Sequence, residues 1–320
     1  MPASVAAIRP PTLDEVNDAA SRLADVVVRT PLVPLHSYKQ DATIQLKPEI
    51  HQPVGSFKIR GVFNAVAALG ADARKRGIST VSAGNTAKAL AWSGQRFGVP
   101  ARSLMPKDAP SAKIEAVRAY GGEPILVETQ EVFRFLKEHL WEAEPYAFIH
   151  PWTNRDLMIG HGTMALEIIQ DCPSVESVFI PVGGGGLIGG VGTALKALKP
   201  SVRIIAVEPE GCPSLKASLE AGRPTTVDCN TICDGVAVPY ITAEMYRLLA
   251  DLADEVILVP DDAVRAGVRR LATRNNMVAE PSGALAVAAA LSVPAKERGI
   301  AVCIVTGGSI DPELLAAILK

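Results

Sequence analysis

Four consecutive glycines, Gly183 to Gly186, separate the apolar run Ser177-Val-Phe-Ile-Pro-Val182 from a helix-like stretch that begins at Leu187. A buried strand that delivers a glycine loop into a helix is an α/β connection. Glycines let successive backbone N–H groups converge without Cβ clashes, and the following helix turns its positive end to the same point. The segment therefore predicts an anion site. Gly184-x-Gly186-x-x-Gly189 also fits a dinucleotide fingerprint, with Glu208 after the next apolar strand, Arg203-Ile-Ile-Ala-Val207, where a ribose-binding acid belongs. A nucleotide, another phosphate and a merely tight turn all remain open from the glycines alone.

The chain has 320 residues, 48% of them hydrophobic, which is enough for a large buried core. Its formal net charge is -2, and no Lys/Arg block is interleaved with aromatics, so neither nucleic acid nor an anionic membrane is the expected partner. A small-molecule metabolite is. Cys172, Cys212, Cys229, Cys233 and Cys303 include no CxxC pair, and Cys229-x-x-x-Cys233 has no nearby histidine to complete a zinc site; reduced thiols are expected. No apolar run approaches the roughly 20 residues of a membrane span, and the N-terminus does not read as a signal peptide. These features set a cytoplasmic expectation.

Thr12 reads as the N-cap of a helix, with Glu15 completing a capping box. A strand at Thr43–Lys47 leads through a loop containing Pro53 to a helix at Phe57–Leu69. Strands near Ser79–Val81, Ala101–Met105 and Pro124–Val127 alternate with helices near Ala87–Phe97, Ala112–Tyr120 and Val132–Trp141. Further strands fall at Val178–Val182, Ile204–Val207, Glu255–Leu258 and Val302–Val305. Alternation of this kind predicts two open, mostly parallel sheets with helices on both faces. A smaller lobe, residues 77–154, is expected within a larger one made of residues 1–76 and 155–320, the two forming one catalytic unit without a regulatory domain. The site belongs in the cleft at the C-terminal ends of the strands.

Lys58 sits where the loop Gly55-Ser56-Phe57 becomes a helix. A cation at the positive end of a helix dipole is disfavoured, and an amine with a lowered pKa is a nucleophile at neutral pH. Taken together, Gly55-Ser56-Phe57-Lys58, Ser82-Ala83-Gly84-Asn85, the tetraglycine loop and Thr306-Gly307-Gly308 resemble the fold-type II pyridoxal-phosphate enzymes, of tryptophan synthase β-like fold, and within them the threonine/serine dehydratase and serine racemase branch. The resemblance extends through Gly160–Glu167, Glu208–Gly211, Asp234–Val236 and Glu280–Ala284. It implies pyridoxal 5'-phosphate as cofactor, Lys58 as the catalytic lysine that takes it as a Schiff base, and the backbone of Gly183, Gly184, Gly185, Gly186 and Leu187 as its phosphate site. It further implies Phe57 against the ring, Asn85 at the 3'-hydroxyl and Thr306 at the pyridine nitrogen. Ser82, Ala83, Gly84 and Thr86 are expected to receive the substrate carboxylate. A homodimer is implied as well.

Departures from the family pattern shape the functional expectation. Thr86 and Lys88 replace the usual histidine and glutamine beside the carboxylate loop; Lys88 either adds a cation for a second acidic group, as in 3-hydroxyaspartate, or points outward. Ala83 stands where serine racemase carries its second base, which moves the expectation from racemisation to elimination. Ser214 replaces a carboxylate in the segment where metal-activated relatives bind a divalent cation through the equivalent of Glu208, so no metal is expected. His36, His51, His150 and His161 are isolated and read as hydrogen-bonded structural residues. The expected activity is a pyridoxal-phosphate-dependent ammonia-lyase that removes the β-hydroxyl of a serine- or threonine-type amino acid. The alternatives are a lyase for 3-hydroxyaspartate or another β-substituted amino acid, an amino-acid racemase and, from a different class, a nicotinamide-dependent oxidoreductase.

Overall fold

The computed structural model describes residues 8–36, 43–82 and 84–320; Ala83 lies outside them. Ten strands form two sheets. They are β1 (Val33–Pro34), β2 (Ile44–Pro48), β3 (Ile78–Val81), β4 (Ala101–Pro106), β5 (Glu123–Val127), β6 (Ala147–Phe148), β7 (Ser177–Pro181), β8 (Arg203–Pro209), β9 (Glu255–Val259) and β10 (Ala301–Val305). The larger sheet has the order β1-β2-β10-β7-β8-β9 and the smaller β5-β4-β3-β6. All pairings are parallel except that of β1 with β2.

Strands β7 and β10 are buried at every position. Helices cover both faces of such a parallel sheet, which is why these strands read as continuous apolar runs instead of alternating ones. The apolar, alanine-rich helix Pro281–Ser292 packs on β7 and β10. The helices Arg155–Asp171 and Gly186–Leu198 pack together at close range, because a side chain at Gly190 would run into the Met158 carbonyl. The Thr12 capping box forms as expected: Glu15 N–H donates to Thr12 Oγ1 at 3.3 Å, and Thr12 N–H donates to Glu15 Oε2 at 2.9 Å.

Three loops leave the C-terminal ends of parallel strands and line one cavity: Ser82 onward after β3, Gly183 onward after β7, and Thr306 after β10. The segment before Lys58 is stitched to the last of these. Phe57 N–H donates to the Thr306 carbonyl at 3.0 Å, and Gly308 N–H donates to the Gly55 carbonyl at 3.0 Å.

The cysteines require a correction. Cys212 and Cys229 form a disulfide, with Cα atoms 4.4 Å apart, while Cys172, Cys233 and Cys303 are free. The pairing arises because Asn230 N–H donates to the Gly211 carbonyl at 2.8 Å, laying two loops side by side across a separation of 17 residues that sequence spacing does not reveal. Among the described residues, no helix is long and apolar enough to cross a membrane.

Candidate active site

Lys58 is the first residue of the helix Lys58–Ala68, and its side chain opens into a cavity of about 400 Å³. Protein surrounds the amine on its other sides. Desolvation lowers its pKa to about 8, against a smaller opposing effect from the Glu280 carboxylate. An amine held there is mostly protonated at pH 6.5 and about half free at pH 8. Capture of pyridoxal phosphate by the apoprotein, fixed with borohydride and counted by mass, should therefore speed up about tenfold per unit from pH 6 to 7 and level off above about pH 9. A rate still climbing steeply at pH 10 would mean an ordinary, solvated lysine.

Two residues along, Arg60 anchors this helix in the interior. Its guanidinium donates from Nε to Glu49 Oε2 at 2.8 Å, from Nη2 to Glu49 Oε1 at 2.9 Å, and from Nη1 and Nη2 to the two oxygens of Glu167 at 2.7 and 2.9 Å. Lys47 pairs with Glu167 as well, and Glu49 accepts from Thr30 Oγ1 at 2.8 Å and Gln52 Nε2 at 3.1 Å. Two cations and two carboxylates thus balance where solvent is excluded. His161 sits beneath the site, its ring 4.7 Å from that of Phe57. Both its ring nitrogens are buried without a hydrogen-bond partner, and burial holds its pKa well below the ordinary value, so it is a neutral packing residue without the expected hydrogen bond.

The tetraglycine loop forms a tight cradle. Gly185 has φ +93°, and a Cβ there would approach Leu249 Cδ1 at 2.6 Å. A Cβ on Gly184 would overlap the Trp152 ring, and one on Gly186 would lie 3.0 Å from Trp152 Cα. All four glycines and Leu187 line the cavity at the start of the helix Gly186–Leu198, whose first amides have no partner within the helix. Gly184→Ala must displace Trp152, an overpacking cost of about 1–3 kcal/mol. Equilibrium dialysis should show cofactor affinity lowered about 5- to 100-fold, and an unchanged Kd would refute a cradle made by this loop.

Asn85 begins the helix Asn85–Phe97, and its Nδ2 donates to Glu280 Oε1 at 2.6 Å. Asn85 Oδ1 and Glu280 Oε2 are buried without a hydrogen-bond partner in the same cavity wall. Burial raises the Glu280 pKa, while Lys113 opposes that shift. Lys113 crosses the cavity to pair with Asp234, and its Nζ lies 3.7 Å from Glu280 Oε2. Thr306 Oγ1 donates to the Ser282 carbonyl at 3.3 Å and keeps its lone pairs. A partly buried amine, a cradle with no room for a Cβ at Gly184 or Gly185 and orphaned polar atoms in the cavity wall fit pyridoxal phosphate: an aldehyde-reactive end, a phosphate end and a ring with polar edges.

Ser82, Gly84 and Thr86, the described residues of the loop expected to receive the substrate carboxylate, line the cavity. Gly84 N–H donates to Ser82 Oγ at 3.0 Å, and a Cβ on Gly84 would run into the Lys113 side chain. Lys88 neither points outward nor lines the cavity. It is half-buried, and its Nζ donates to Ser309 Oγ at 3.2 Å, because its position on the helix faces the loop after β10. Glu208 accepts from Leu215 N–H at 2.7 Å and Lys216 N–H at 2.9 Å, capping the helix Ser214–Ala221. Burial still pushes its pKa up to about 7. Its carboxylate is thus committed to backbone amides and is not offered to a ribose. Among the described residues, no group of three or more His, Cys, Asp or Glu could hold a metal ion.

Sequence reasoning assigned no role to Lys113, Asp234 or Glu280, nor to the apolar side chains Val132, Phe133 and Leu136 of the cavity wall. Asp234 and Glu280 lay in motifs already noted. Lys113 gave no signal, since a lysine in an amphipathic helix ordinarily faces solvent.

Residues 23–307 match the family of pyridoxal-phosphate dependent enzymes. The chain is 38% identical to an L-threonine ammonia-lyase of Thermotoga maritima, over 97% of this chain and 78% of the relative. It is 35% identical to a serine racemase of Oryza sativa subsp. indica, over 93% of this chain and 91% of that protein. The solved structure of maize serine racemase superposes with a TM-score of 0.88 at 33% identity, covering 97% of both chains.

Proposed function

The chain belongs to the pyridoxal-phosphate dependent enzymes, and on that footing we propose that it is an ammonia-lyase that removes the β-hydroxyl of a 2-amino-3-hydroxy acid and releases a 2-oxo acid and ammonia. The observation that carries this reading is the number of free bases in the cavity. Among the described titratable residues that line it, Lys113 pairs with Asp234 and lies 3.7 Å from Glu280 Oε2, Glu280 Oε1 accepts from Asn85 and Asp108 accepts from Thr129, whereas Lys58 has neither an ion pair nor a hydrogen bond. A two-base racemase needs a second, independent base on the opposite face; elimination needs one. Ser82 Oγ is already engaged by the Gly84 amide.

The chemistry that bound pyridoxal phosphate supplies is an electron sink at Cα, a weaker one beside the neutral Thr306 hydroxyl than beside a carboxylate. Gly183 to Leu187 would hold its phosphate, Phe57 its ring face and Asn85 its 3'-oxygen. Lys58 removes the α-proton of the substrate, since its depressed pKa keeps a useful fraction of the amine unprotonated near neutral pH. Ser82, Gly84 and Thr86 orient the substrate carboxylate. The Lys113–Asp234 pair and the apolar side chains line the cavity beside that base, and the proton it takes leaves with the hydroxyl.

The test measures 2-oxo acid release and stereochemical inversion in the same samples of holoenzyme with L-serine and L-threonine. Release should exceed inversion at least about tenfold. Inversion as the faster process would replace this reading with the racemase.

A further inference from the structure

Once the cofactor and carboxylate groups proposed above are set aside, the cavity keeps an apolar wall beside the polar side chains of Asp108, Thr129 and Thr231 and the Lys113–Asp234 pair. Val132, Phe133 and Leu136 of the helix Thr129–Lys137 line it together with Trp152, Val236 and Val238, the last three packed beside Gly183 and Gly184. Phe133 and Trp152 are bridged by Tyr240, whose ring lies 6.4 Å from the first and 6.5 Å from the second. Phe133 is half-buried and lines the cavity. Serine offers this wall nothing beyond its hydroxyl, and threonine one methyl. The wall is equally unsuited to a second carboxylate: among the described residues the cavity's cations are Lys58 and Lys113, the latter neutralised by Asp234 and Glu280, and Lys88 is turned away to Ser309.

Resting on the lyase reading, we infer that the substrate is a 2-amino-3-hydroxy acid whose Cβ carries an apolar substituent of aryl size, as in 3-phenylserine. Phe133, Trp152 and Val238 are the specificity-determining side chains. The aromatic rings offer edges and faces for an aryl group, and the flanking aliphatic side chains exclude water around it. In the reaction the Cα–H and Cβ–O bonds break, the hydroxyl leaves with a proton as water, and a Cα=Cβ enamine forms. Water then adds to its imine tautomer and ammonia departs, giving the 3-aryl-2-oxo acid. One water is lost and one gained, and nothing is oxidised or reduced.

Holoenzyme is assayed for 2-oxo acid release with L-threo-3-phenylserine, L-threonine and L-serine side by side. Burial of a phenyl group in place of a methyl predicts kcat/KM about 10- to 100-fold higher for phenylserine than for threonine. Threonine or serine turned over as well or better overturns this inference and leaves the lyase reading standing. No 2-oxo acid from any of the three overturns both. Calorimetric titration with L-phenylalanine and L-alanine, which have no hydroxyl to lose, tests the wall without catalysis. L-phenylalanine should bind at least about tenfold more tightly, and equal affinities overturn the inference. Phe133→Ser, at a position that is not part of the fully buried core, should lower the phenylserine-to-threonine ratio about 5- to 10-fold, with Val238→Ser as a second variant. A ratio unmoved in both also overturns it.

Discussion

Replacing Lys58 with alanine should lower kcat/KM for 2-oxo acid release by at least about 10³-fold and abolish covalent fixation of the cofactor by borohydride. The effect is large because two roles fall on one amine. In the proposed mechanism it is the reactive nitrogen, held near pKa 8 by desolvation, and also the base, with neither an ion pair nor a hydrogen bond of its own. Lys58→Arg separates charge from reactivity: the guanidinium keeps the cation in place but stays protonated, so the activity should be lost equally. Removing the side chain takes an amine out of an enclosed space without breaking an ion pair, so circular dichroism and the urea midpoint should change little. Mass spectrometry of borohydride-treated protein locates the adduct. An adduct that persists in Lys58→Ala, on Lys113 for instance, would overturn the assignment.

The main elements of the site were legible because each rests on a local rule. The tetraglycine loop follows from a buried strand that must turn into a helix; the lowered pKa of Lys58 was expected from the helix dipole, whereas burial is what lowers it. Parallel sheets follow from apolar runs without alternation. What the sequence left open depends on pairings between distant segments. Cys212 meets Cys229 because two loops run side by side. Lys88 turns to Ser309, more than two hundred residues away, instead of to solvent or substrate. The wall formed by Phe133, Trp152 and Val238 draws on three separate stretches of chain, none of which carries a motif. Ala83, whose methyl argued against a second base, lies outside the described residues. Local chemistry could thus be read in advance, whereas the shape that selects a substrate could not.

Arg60→Met should destabilise the protein by about 3–5 kcal/mol, read as a lowered urea midpoint. Arg60 is fully buried, and it makes four close hydrogen bonds to Glu49 and Glu167. Methionine fills much of the space but leaves Glu49 with the hydroxyl of Thr30 and the amide of Gln52 as hydrogen-bond donors and only the more distant Lys47 as a countercharge. A buried carboxylate so weakly compensated is the larger part of the cost; lost packing is the smaller. Adding Glu49→Gln to Arg60→Met separates the two, since it removes the stranded charge while Lys47 continues to neutralise Glu167. The double variant should recover more than half of the lost stability, and failure to recover would assign the cost to packing. Either result bears on catalysis, because Glu49 and Gln52 lie in the segment that leads to Lys58, and Arg60 lies two residues beyond it. The network fixes both sides of the lysine to the core, so loosening it should lower kcat more than it raises KM.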